Sequence, residues 1–217
     1  RFCFFMAKLS VIVPAHNEEK YLENTLKAAK HPDAELIVVC NGCTDKSVDV
    51  AVKLADKVFV LDEAGVSKAR NFGALKASAS RLVFLDADIV LAPDVIDKIL
   101  ASKSTIGTTK AKSNVDKKAY SGAMWLKSRI HRFGFCTGLI FCDKDLFDKV
   151  GGFDELRAAG EDGKLLRAAK KIGDYGVVDA YVFNNMRRFE KLGYIGVTWF
   201  WLKHLLFGSG KKYEVVR

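Results

Sequence analysis

Two carboxylates stand one residue apart directly after an apolar segment, where Asp86 and Asp88 follow residues 81–85. The apolar run predicts a strand buried on both faces, and α/β proteins bind ligands at the carboxyl edge of the sheet, where such strands end. Neighbouring carboxylates repel each other unless a cation lies between them, and oxygen ligands favour a hard ion such as Mg²⁺ or Mn²⁺. The pair therefore predicts a site for a divalent cation and phosphate. The alternative is that both aspartates only cap a helix that begins near Pro93.

Polar residues also follow the first two predicted strands, at the same edge of the sheet. The first strand runs into Pro-Ala-His-Asn-Glu at residues 14–18. A nucleotide fits across this loop if the proline and alanine pack on its base while Asn17 and Glu18 hydrogen-bond the base or ribose. Asn41, after the second strand, is predicted to receive the base. Capping of the next helix is the alternative for Asn17.

A basic segment lies near a third predicted helix start, in Gly-Val-Ser-Lys-Ala-Arg-Asn at residues 65–71. Lys68 and Arg70 can both approach a phosphate there. A solvated surface is the commoner explanation for a single basic residue. Arg70 becomes a candidate because three neighbouring loops point to the same edge.

The elements that must position these residues alternate between apolar β-rich runs and amphipathic stretches. This alternation predicts an α/β fold with a mostly parallel central sheet flanked by helices. Strands are predicted at 9–13, 35–40, 57–61, 81–85, 105–109, 137–142 and 176–183. Helices are predicted at 18–30, from 44 to 55, at 66–78, from near 93, at 117–132 and at 161–172.

Composition predicts one globular unit, since the chain has 217 residues, of which 49% are hydrophobic and 28% charged. The net charge of +9 suits a nucleic acid, an anionic membrane surface or a phosphorylated substrate. Nucleic acid is the weakest of these, because no RNA-binding or single-strand-binding signature accompanies the basic residues. No apolar run reaches the roughly 18 residues that span a bilayer.

The five cysteines form an odd set in apolar segments, which favours reduced thiols and a cytoplasmic location over a disulfide framework. Cys40 and Cys43 form one CxxC, for which a redox pair or half a zinc site is the minor alternative. Residues 1–8 are expected to be an extension in which Met6 is the natural start, and they lack the features of a secretory signal. His131 and His204 are not placed as metal ligands.

Five short motifs, in order, resemble glycosyltransferase family 2, whose A-type fold binds a nucleotide-sugar at the carboxyl edge of a parallel sheet. They are Val-Pro-Ala-His-Asn-Glu at 13–18, Asn-Gly-Cys-Thr-Asp at 41–45, Ala-Arg-Asn-Phe-Gly at 69–73, Asp-Ala-Asp at 86–88 and Gly-Glu-Asp at 160–162. Gly138 to Phe141 and Val-Gly-Gly-Phe-Asp at 150–154 look like the acceptor-side strand and turn. The resemblance implies a transferase domain at 9–190, with a nucleotide half at 9–100 and an acceptor half at 101–190. Residues 191–217 form a separate aromatic and basic segment.

The resemblance implies a role for each motif in an inverting, metal-dependent transfer of sugar. Asp162 would be the general base, Asp88 and Asp86 the metal ligands, and Gly138 and Glu161 acceptor-side residues. The residues implied for the nucleotide-sugar are Pro14, Ala15, His16, Asn17, Glu18, Asn41, Arg70, Asp86, Ala87, Arg187 and Arg188. A favourable helix N-terminus is the alternative for Glu161 and Asp162, and an ordinary surface pair is the alternative for the two arginines.

The expected partners are a UDP- or GDP-linked sugar, a saccharide or lipid-linked acceptor, and Mn²⁺ or Mg²⁺. Many family members have acidic residues where Cys40 and Asn41 stand, so the choice between uracil and guanine stays open. Aromatic and basic residues between Tyr194 and Phe207 suit a membrane interface, with packing on the catalytic body or a dimer contact as alternatives. The oligomeric state is open.

Two other functions remain as alternatives. A sugar-phosphate nucleotidyltransferase normally begins with a glycine-rich loop, and residues 9–19 contain no glycine. A non-catalytic protein that binds a nucleotide-sugar or an anionic membrane would have no need for Asp162. A dinucleotide oxidoreductase is disfavoured because no GxGxxG follows the first strand.

Overall fold

A central sheet of eight strands organises the computed structural model, which describes residues 7–115, 137–157, 160–193 and 196–197. The strands are β1 Leu9–Ala15, β2 Ala34–Asn41, β3 Lys57–Leu61, β4 Arg81–Leu85, β5 Ile89–Leu91, β6 Ile106–Ser113, β7 Leu139–Asp143 and β8 Tyr175–Asn184. The helices are α1 Leu22–Ala29, α2 Ser47–Leu54, α3 Val66–Lys76, α4 Val95–Ala101, α5 Lys144–Lys149 and α6 Glu161–Ala169. Residues 187–193 are also helical.

The strand order is β3-β2-β1-β4-β7-β6-β8-β5. The β1–β2, β1–β4, β2–β3 and β6–β8 pairs are parallel, whereas β7 is antiparallel to β4 and β6, and β5 is antiparallel to β8. The predicted α/β fold with a mostly parallel sheet is therefore confirmed. The parallel strands β1, β2 and β4 place the residues that follow them at one edge.

Burial explains why the first half was predictable. All seven residues of β1 are buried, as are the last seven of β2. Apolar strands of this kind belong between two layers of helices. Helix α3 packs against β1 and β2, and a Cβ at Gly73 would lie 2.4 Å from Ile12 Cγ2. Gly73 therefore allows the close approach of α3 to the sheet.

The structure contains short elements that the sequence did not predict. Strand β5 has three residues and pairs with β8, and α5 follows β7 directly. The predicted helix at 117–132 lies outside the described residues, as does most of the segment 191–217. No helix within the described ranges is long and apolar enough to cross a membrane.

Glu35 at the start of β2 ties three strands together through a buried carboxylate. It accepts hydrogen bonds from Ser10 Oγ and from the backbone N–H of Ser78, both at 2.5 Å, and pairs with Lys57 Nζ at 2.7 Å. Burial opposes ionisation, but the hydrogen bonds from Lys57, Ser10 and Ser78 outweigh it and lower the pKa of Glu35 to about 2.

We expect Glu35→Gln to lower the free energy of unfolding by about 1.5–3 kcal/mol at pH 7, because an amide loses the charge-assisted bonds. Ionised Glu35 stabilises the fold above the ordinary glutamate pKa of 4.5, and this contribution falls as the pH drops toward 2. Urea unfolding of both proteins should therefore show a difference that narrows between these pH values. Glu63→Gln, at a carboxylate whose side chain is 81% exposed, is the control. A constant difference down to pH 2 would contradict the prediction.

Candidate active site

One buried guanidinium joins the aspartate after β4 to the acidic pair that begins α6. Arg70 is 4% exposed and lies in the second turn of α3. Its Nη2 donates to Asp86 Oδ1 at 2.6 Å, and its Nη1 donates to Glu161 Oε1 at 2.9 Å and to Asp162 Oδ1 at 2.8 Å. Three carboxylates, the most distant of them 92 residues from Arg70 in sequence, therefore converge on one cation.

The ring of Phe153 supports this guanidinium from one face, with 5.0 Å between Arg70 Cζ and the ring centroid. Phe153 is held in turn by Asn71, the residue next to Arg70. Asn71 Nδ2 donates to the carbonyl of Phe153, and the N–H of Phe153 donates to Asn71 Oδ1, both at 2.9 Å. Helix α3 thus fixes both the arginine and the turn that packs on it.

A second guanidinium joins the first loop to the other aspartate. Arg187 makes a two-pronged contact with Glu18, at 2.8 Å from Nη1 to Oε2 and 2.6 Å from Nη2 to Oε1. Its Nη2 also lies 2.9 Å from Asp88 Oδ2. The ring of Tyr21 lies under Arg187, at 5.0 Å from Cζ to the centroid. This arrangement ties residues after β8 to the loop after β1.

The pKa of Asp88 reflects the negative charge at this edge of the sheet. Its burial, together with the charges of Asp86 and Glu18, raises the pKa of Asp88 to about 6, although Arg187 and Arg188 act in the opposite direction. Burial of a carboxylate near two others disfavours ionisation. An additional cation at this point would therefore be stabilised by the carboxylates already present.

Asp86 and Asp88 fit a divalent cation whose other ligands include phosphate oxygens. In the described part of the chain, no three side chains among His, Cys, Asp and Glu are grouped as a complete metal site. Mg²⁺ is usually held by one or two carboxylates, with water and substrate phosphates as the other ligands. The two aspartates match that pattern, and the same observation gives no support to a zinc site at Cys40 and Cys43.

Asn41, at the end of β2, uses both ends of its amide within the protein. Its Nδ2 donates to the carbonyl of Ala15 at 2.8 Å, and its Oδ1 accepts from the N–H of Gly65 at 2.9 Å. Pro14 and Ala15 are buried within β1. His16 Nδ1 lies 2.5 Å from the carbonyl oxygen of Asn41. These contacts therefore join the segments that follow β1 and β2 to each other and to the segment that precedes α3.

Asn17 has a left-handed backbone, with φ of 53°. Its Oδ1 accepts from the N–H of Thr44 at 2.7 Å, and its Nδ2 donates to Thr44 Oγ1 at 3.1 Å. The capping alternative for Asn17 is wrong, because α1 has Tyr21 at its N-cap and no side-chain cap bond. The side chain instead holds the first loop against the second.

The capping alternative for the aspartate pair is also wrong, because Asp94 occupies the N-cap of α4. Glu161 and Asp162 do lie in the first turn of α6, so the helix terminus also favours their charges. Gly138 lies beside Asp86, whose N–H donates to the Gly138 carbonyl at 3.0 Å. The φ of Gly138 is 98°, and a Cβ there would lie 2.8 Å from Ile89 Cδ1, so this position requires glycine.

Comparison with known proteins decides the family. The model of the family described as glycosyl transferase family 2 matches residues 10–153. The chain belongs to glycosyl transferase family 2. The predicted resemblance is therefore confirmed.

One relative in family 2 is an uncharacterized glycosyltransferase of Haemophilus influenzae, which is 33% identical over 104 residues. The aligned region is 44% of this chain and 42% of that protein, so the chain spans less than half of this relative.

Two solved structures share the fold. Residues 1–349 of S. aureus TarS, in complex with UDP-GlcNAc, have a TM-score of 0.69 at 23% identity, over 82% of this chain and 58% of that one. The mannosyltransferase PcManGT from Pyrobaculum calidifontis, in complex with GDP-Man and Mn²⁺, has a TM-score of 0.63 at 18% identity, over 80% of this chain and 56% of that one. At these identities the likeness shows the fold alone, and the predicted A-type fold is confirmed.

Several residues that support the family 2 site were missed from the sequence. Asn71 and Phe153 stand inside quoted motifs, and Tyr21 lies in the predicted helix at 18–30, but none was given a role at the site. Thr25 Oγ1 donates to the carbonyl of Ala87 at 2.8 Å and so fixes the residue between the two aspartates. Ser47 Oγ accepts from the N–H of Glu18 at 2.8 Å. Polar residues buried on a predicted helix face were the available signal for Thr25.

Proposed function

We propose that this chain transfers a sugar from a nucleoside-diphosphate sugar to an acceptor hydroxyl or phosphate, with inversion at the anomeric carbon and with Mn²⁺ or Mg²⁺ bound. The observation that carries the proposal is the Arg70 cluster, in which one guanidinium contacts both Asp86 and Asp162. Arg70 thereby holds the donor-side carboxylate of Asp86 close to the candidate base Asp162. Family membership supports the reaction class.

The donor binds across the loops that follow β1, β2 and β4. Residues 14–18, Asn41, Arg70 and Ala87 lie along this edge, and Arg187 and Arg188 approach from the segment after β8. UDP and GDP both remain candidates, because the Asn41 amide is already engaged by Ala15 and Gly65. Residues 9–100 form the donor half and 101–190 the acceptor half.

Asp88 and Asp86 would hold the divalent cation. A bound Mn²⁺ or Mg²⁺ supplies Lewis-acid stabilisation of the charge on the leaving nucleoside diphosphate. In the structure, Arg187 balances the charge of Asp88 at 2.9 Å. Arg187 and Arg188 are positively charged and adjacent to this point, so they can also neutralise phosphate oxygens.

Asp162 accepts the proton of the acceptor hydroxyl. Its Oδ1 is held by Arg70 at 2.8 Å, which fixes the orientation of the carboxylate at the start of α6. The deprotonated oxygen attacks the anomeric carbon from the face opposite the diphosphate, and direct displacement inverts the configuration. Glu161 and Gly138 lie on the acceptor side of the same cluster.

The acceptor is a saccharide or a lipid-linked molecule, and the protein works in the cytoplasm or at the inner face of the membrane. The aromatic and basic composition of residues 191–217 supports a peripheral membrane contact. Flotation with anionic liposomes tests this part, and a protein that stays in solution would contradict it.

Thermal unfolding with a panel of UDP-, GDP- and dTDP-sugars and Mn²⁺ tests the proposed function. We expect one donor to stabilise the protein by about 2.7 kcal/mol at 100 times its Kd, which corresponds to about 5–11 °C for a chain of this size. EDTA should remove this stabilisation, and slow release of nucleoside diphosphate should accompany it.

Asp88→Asn should lose the metal-dependent part of the shift. Asp97→Asn, at an aspartate on α4 whose side chain is 69% exposed, should behave like the wild type. Stabilisation without transfer to any acceptor would favour a non-catalytic nucleotide-sugar binding protein. The absence of any response across the panel would overturn the proposal.

A further inference from the structure

Two thiols flank the turn at the end of β2. Cys40 is completely buried in the strand, whereas Cys43 is half-buried beyond it. Gly42 between them has φ of 59°, and its N–H donates to the carbonyl of Leu61 at 2.8 Å. Ala15 pairs with Cys40 across β1 and β2, and Cys43 Sγ lies 3.3 Å from the carbonyl oxygen of Ala15, so the turn returns Cys43 to the neighbourhood of Cys40. The protein therefore holds two free thiols side by side.

The surroundings of Cys43 favour a thiolate. The neighbouring Cys40 thiol, and after it the N–H of Asn17 and the hydroxyl of Ser47, favour the thiolate and lower the pKa of Cys43 to about 6, although burial and the charge of Asp45 act in the opposite direction. The same pairing, together with burial, raises the pKa of Cys40, which therefore keeps its proton. A thiolate beside a protonated thiol is the combination that thiol–disulfide chemistry uses.

We propose that Cys40 and Cys43 form a reversible dithiol–disulfide site that reacts with hydrogen peroxide and whose oxidation weakens donor binding. The Cys43 thiolate attacks a peroxide oxygen, the O–O bond breaks, and the hydroxide that leaves takes up a proton. Cys43 is then a sulfenic acid. The Cys40 sulfur attacks it, the S–S bond forms, the S–O bond breaks, and water leaves with the Cys40 proton. The two thiols lose two electrons, and the peroxide is reduced to two waters.

Oxidation reaches the donor loops because Cys43 supports them. Thr44, the residue after Cys43, is hydrogen-bonded to the side chain of Asn17, which has a left-handed backbone. In its thiol form, Cys43 also donates to the carbonyl of Ala15 at 3.3 Å. A disulfide sulfur carries no proton to donate, so oxidation removes the bond to Ala15. Ala15 ends β1 and Asn17 lies in the loop that follows, where the donor is proposed to bind, so this consequence rests on the proposed function.

The turn has little room to adjust when the two sulfurs join. A Cβ at Gly42 would lie 2.8 Å from the backbone nitrogen of Ala64, so the turn packs directly on the chain before α3. The next residue, Thr44, is bonded to Asn17 through both its N–H and its hydroxyl. A shift at Cys43 therefore moves Thr44 and Asn17 as well.

Cys142 provides a matched internal control. It is completely buried in β7, and burial raises the pKa of Cys142 to about 12. The Cys142 thiol donates to the carbonyl oxygen of Asp143 at 3.4 Å. It should therefore resist reagents that modify Cys43.

Peptide mapping of the wild-type protein after brief treatment with hydrogen peroxide tests the chemistry without any nucleotide. We expect the peptide that contains Cys40 and Cys43 to lose two hydrogens, to regain them with dithiothreitol, and to leave Cys142 reduced. The rate of Cys43 alkylation by iodoacetamide should rise with a midpoint near pH 6. No disulfide in this peptide, or a midpoint near the ordinary value of about 8.5, would overturn the proposal.

Variants separate the two steps. Cys40→Ala should stop at a sulfenic acid that dimedone traps on Cys43, and Cys43→Ser should form no disulfide. Cys142→Ala should respond to peroxide like the wild type. Trapping on Cys142 instead of Cys43 would contradict the assignment of the reactive thiol.

A second measurement tests the link to donor binding. Mn²⁺ with UDP or GDP should bind the oxidised protein at least about tenfold more weakly than the reduced protein, a difference equivalent to about 1.4 kcal/mol. Dithiothreitol should restore the affinity. Equal affinity in both states would overturn the effect on donor binding. Failure of every nucleotide to bind the reduced protein would instead count against the proposed function, since the mapping result does not depend on it.

Discussion

Arg70→Met is expected to lower the free energy of unfolding by about 3–5 kcal/mol and to abolish transfer. Removal of one partner from a buried ionic cluster leaves the other charges uncompensated, which is the reason for a loss of this size. Here three carboxylates would remain around an apolar side chain, at Asp86, Glu161 and Asp162. The same substitution disconnects the residues after β4 from the start of α6.

Urea unfolding at neutral pH measures this effect, with Arg167→Met as the matched control. Arg167 is exposed near the end of α6, so its substitution should change stability by less than about 0.5 kcal/mol. Arg70→Lys should fall between the two, because one ammonium group cannot reproduce a planar fork that faces three acceptors. Equal unfolding midpoints for Arg70→Met and the wild type would show that the cluster contributes no net stability.

The strands β1, β2 and β4 were predictable because the apolar sequence of each one identifies it as a strand. Residues 9–15, 34–41 and 81–85 are almost continuously apolar, and such runs predict strands buried between layers. Helix α1 nevertheless begins at Leu22, four residues later than the prediction at 18. Asn17 and the backbone of Glu18 contact Thr44 and Ser47 instead, and these contacts join loops that are distant in sequence.

The part of the sheet beyond β4, where β7 and β5 are antiparallel to their neighbours, depends on contacts that no local pattern reports. β5 has three residues, too few for a period to be recognised, and it forms because Ile89, Val90 and Leu91 pair with β8. α5 begins at Lys144 directly after β7, between the predicted strand at 137–142 and the turn at 150–154, where no element was predicted. Tertiary pairing decides such short elements, whereas propensity decides them poorly.

The candidate site was predictable as a set of residues but not as a set of contacts. The carboxyl edge brings together the loops after β1, β2 and β4, as the alternation of elements implied. The sequence could not identify the partners of the two arginines. Arg70 contacts residues that lie 91 and 92 positions away, and Arg187 contacts Glu18 across 169 positions. An arginine was expected at phosphate, yet in the structure each one balances carboxylates.

That charge balance makes Asp162→Asn a sharp test of the proposed base. We expect the variant to transfer sugar about 10²–10⁴-fold more slowly than the wild type, which is the usual contribution of a general base. The fold should be preserved, because the asparagine carbonyl can still accept the hydrogen bond that Arg70 Nη1 now makes to Asp162 at 2.8 Å. Glu161 and Asp86 continue to compensate the guanidinium.

Initial rates of transfer, measured beside the affinity for donor with Mn²⁺, distinguish loss of the base from loss of the site. Asp162→Asn should keep the donor affinity within about threefold, whereas Asp88→Asn should lose it along with the metal dependence. Asp179→Asn, at a carboxylate whose side chain is 79% exposed, should match the wild type in both measurements. If Asp162→Asn transferred at the wild-type rate, the proton would have to leave through another group. Glu161 would then be the next candidate, because it shares the Arg70 contact at 2.9 Å and begins the same helix.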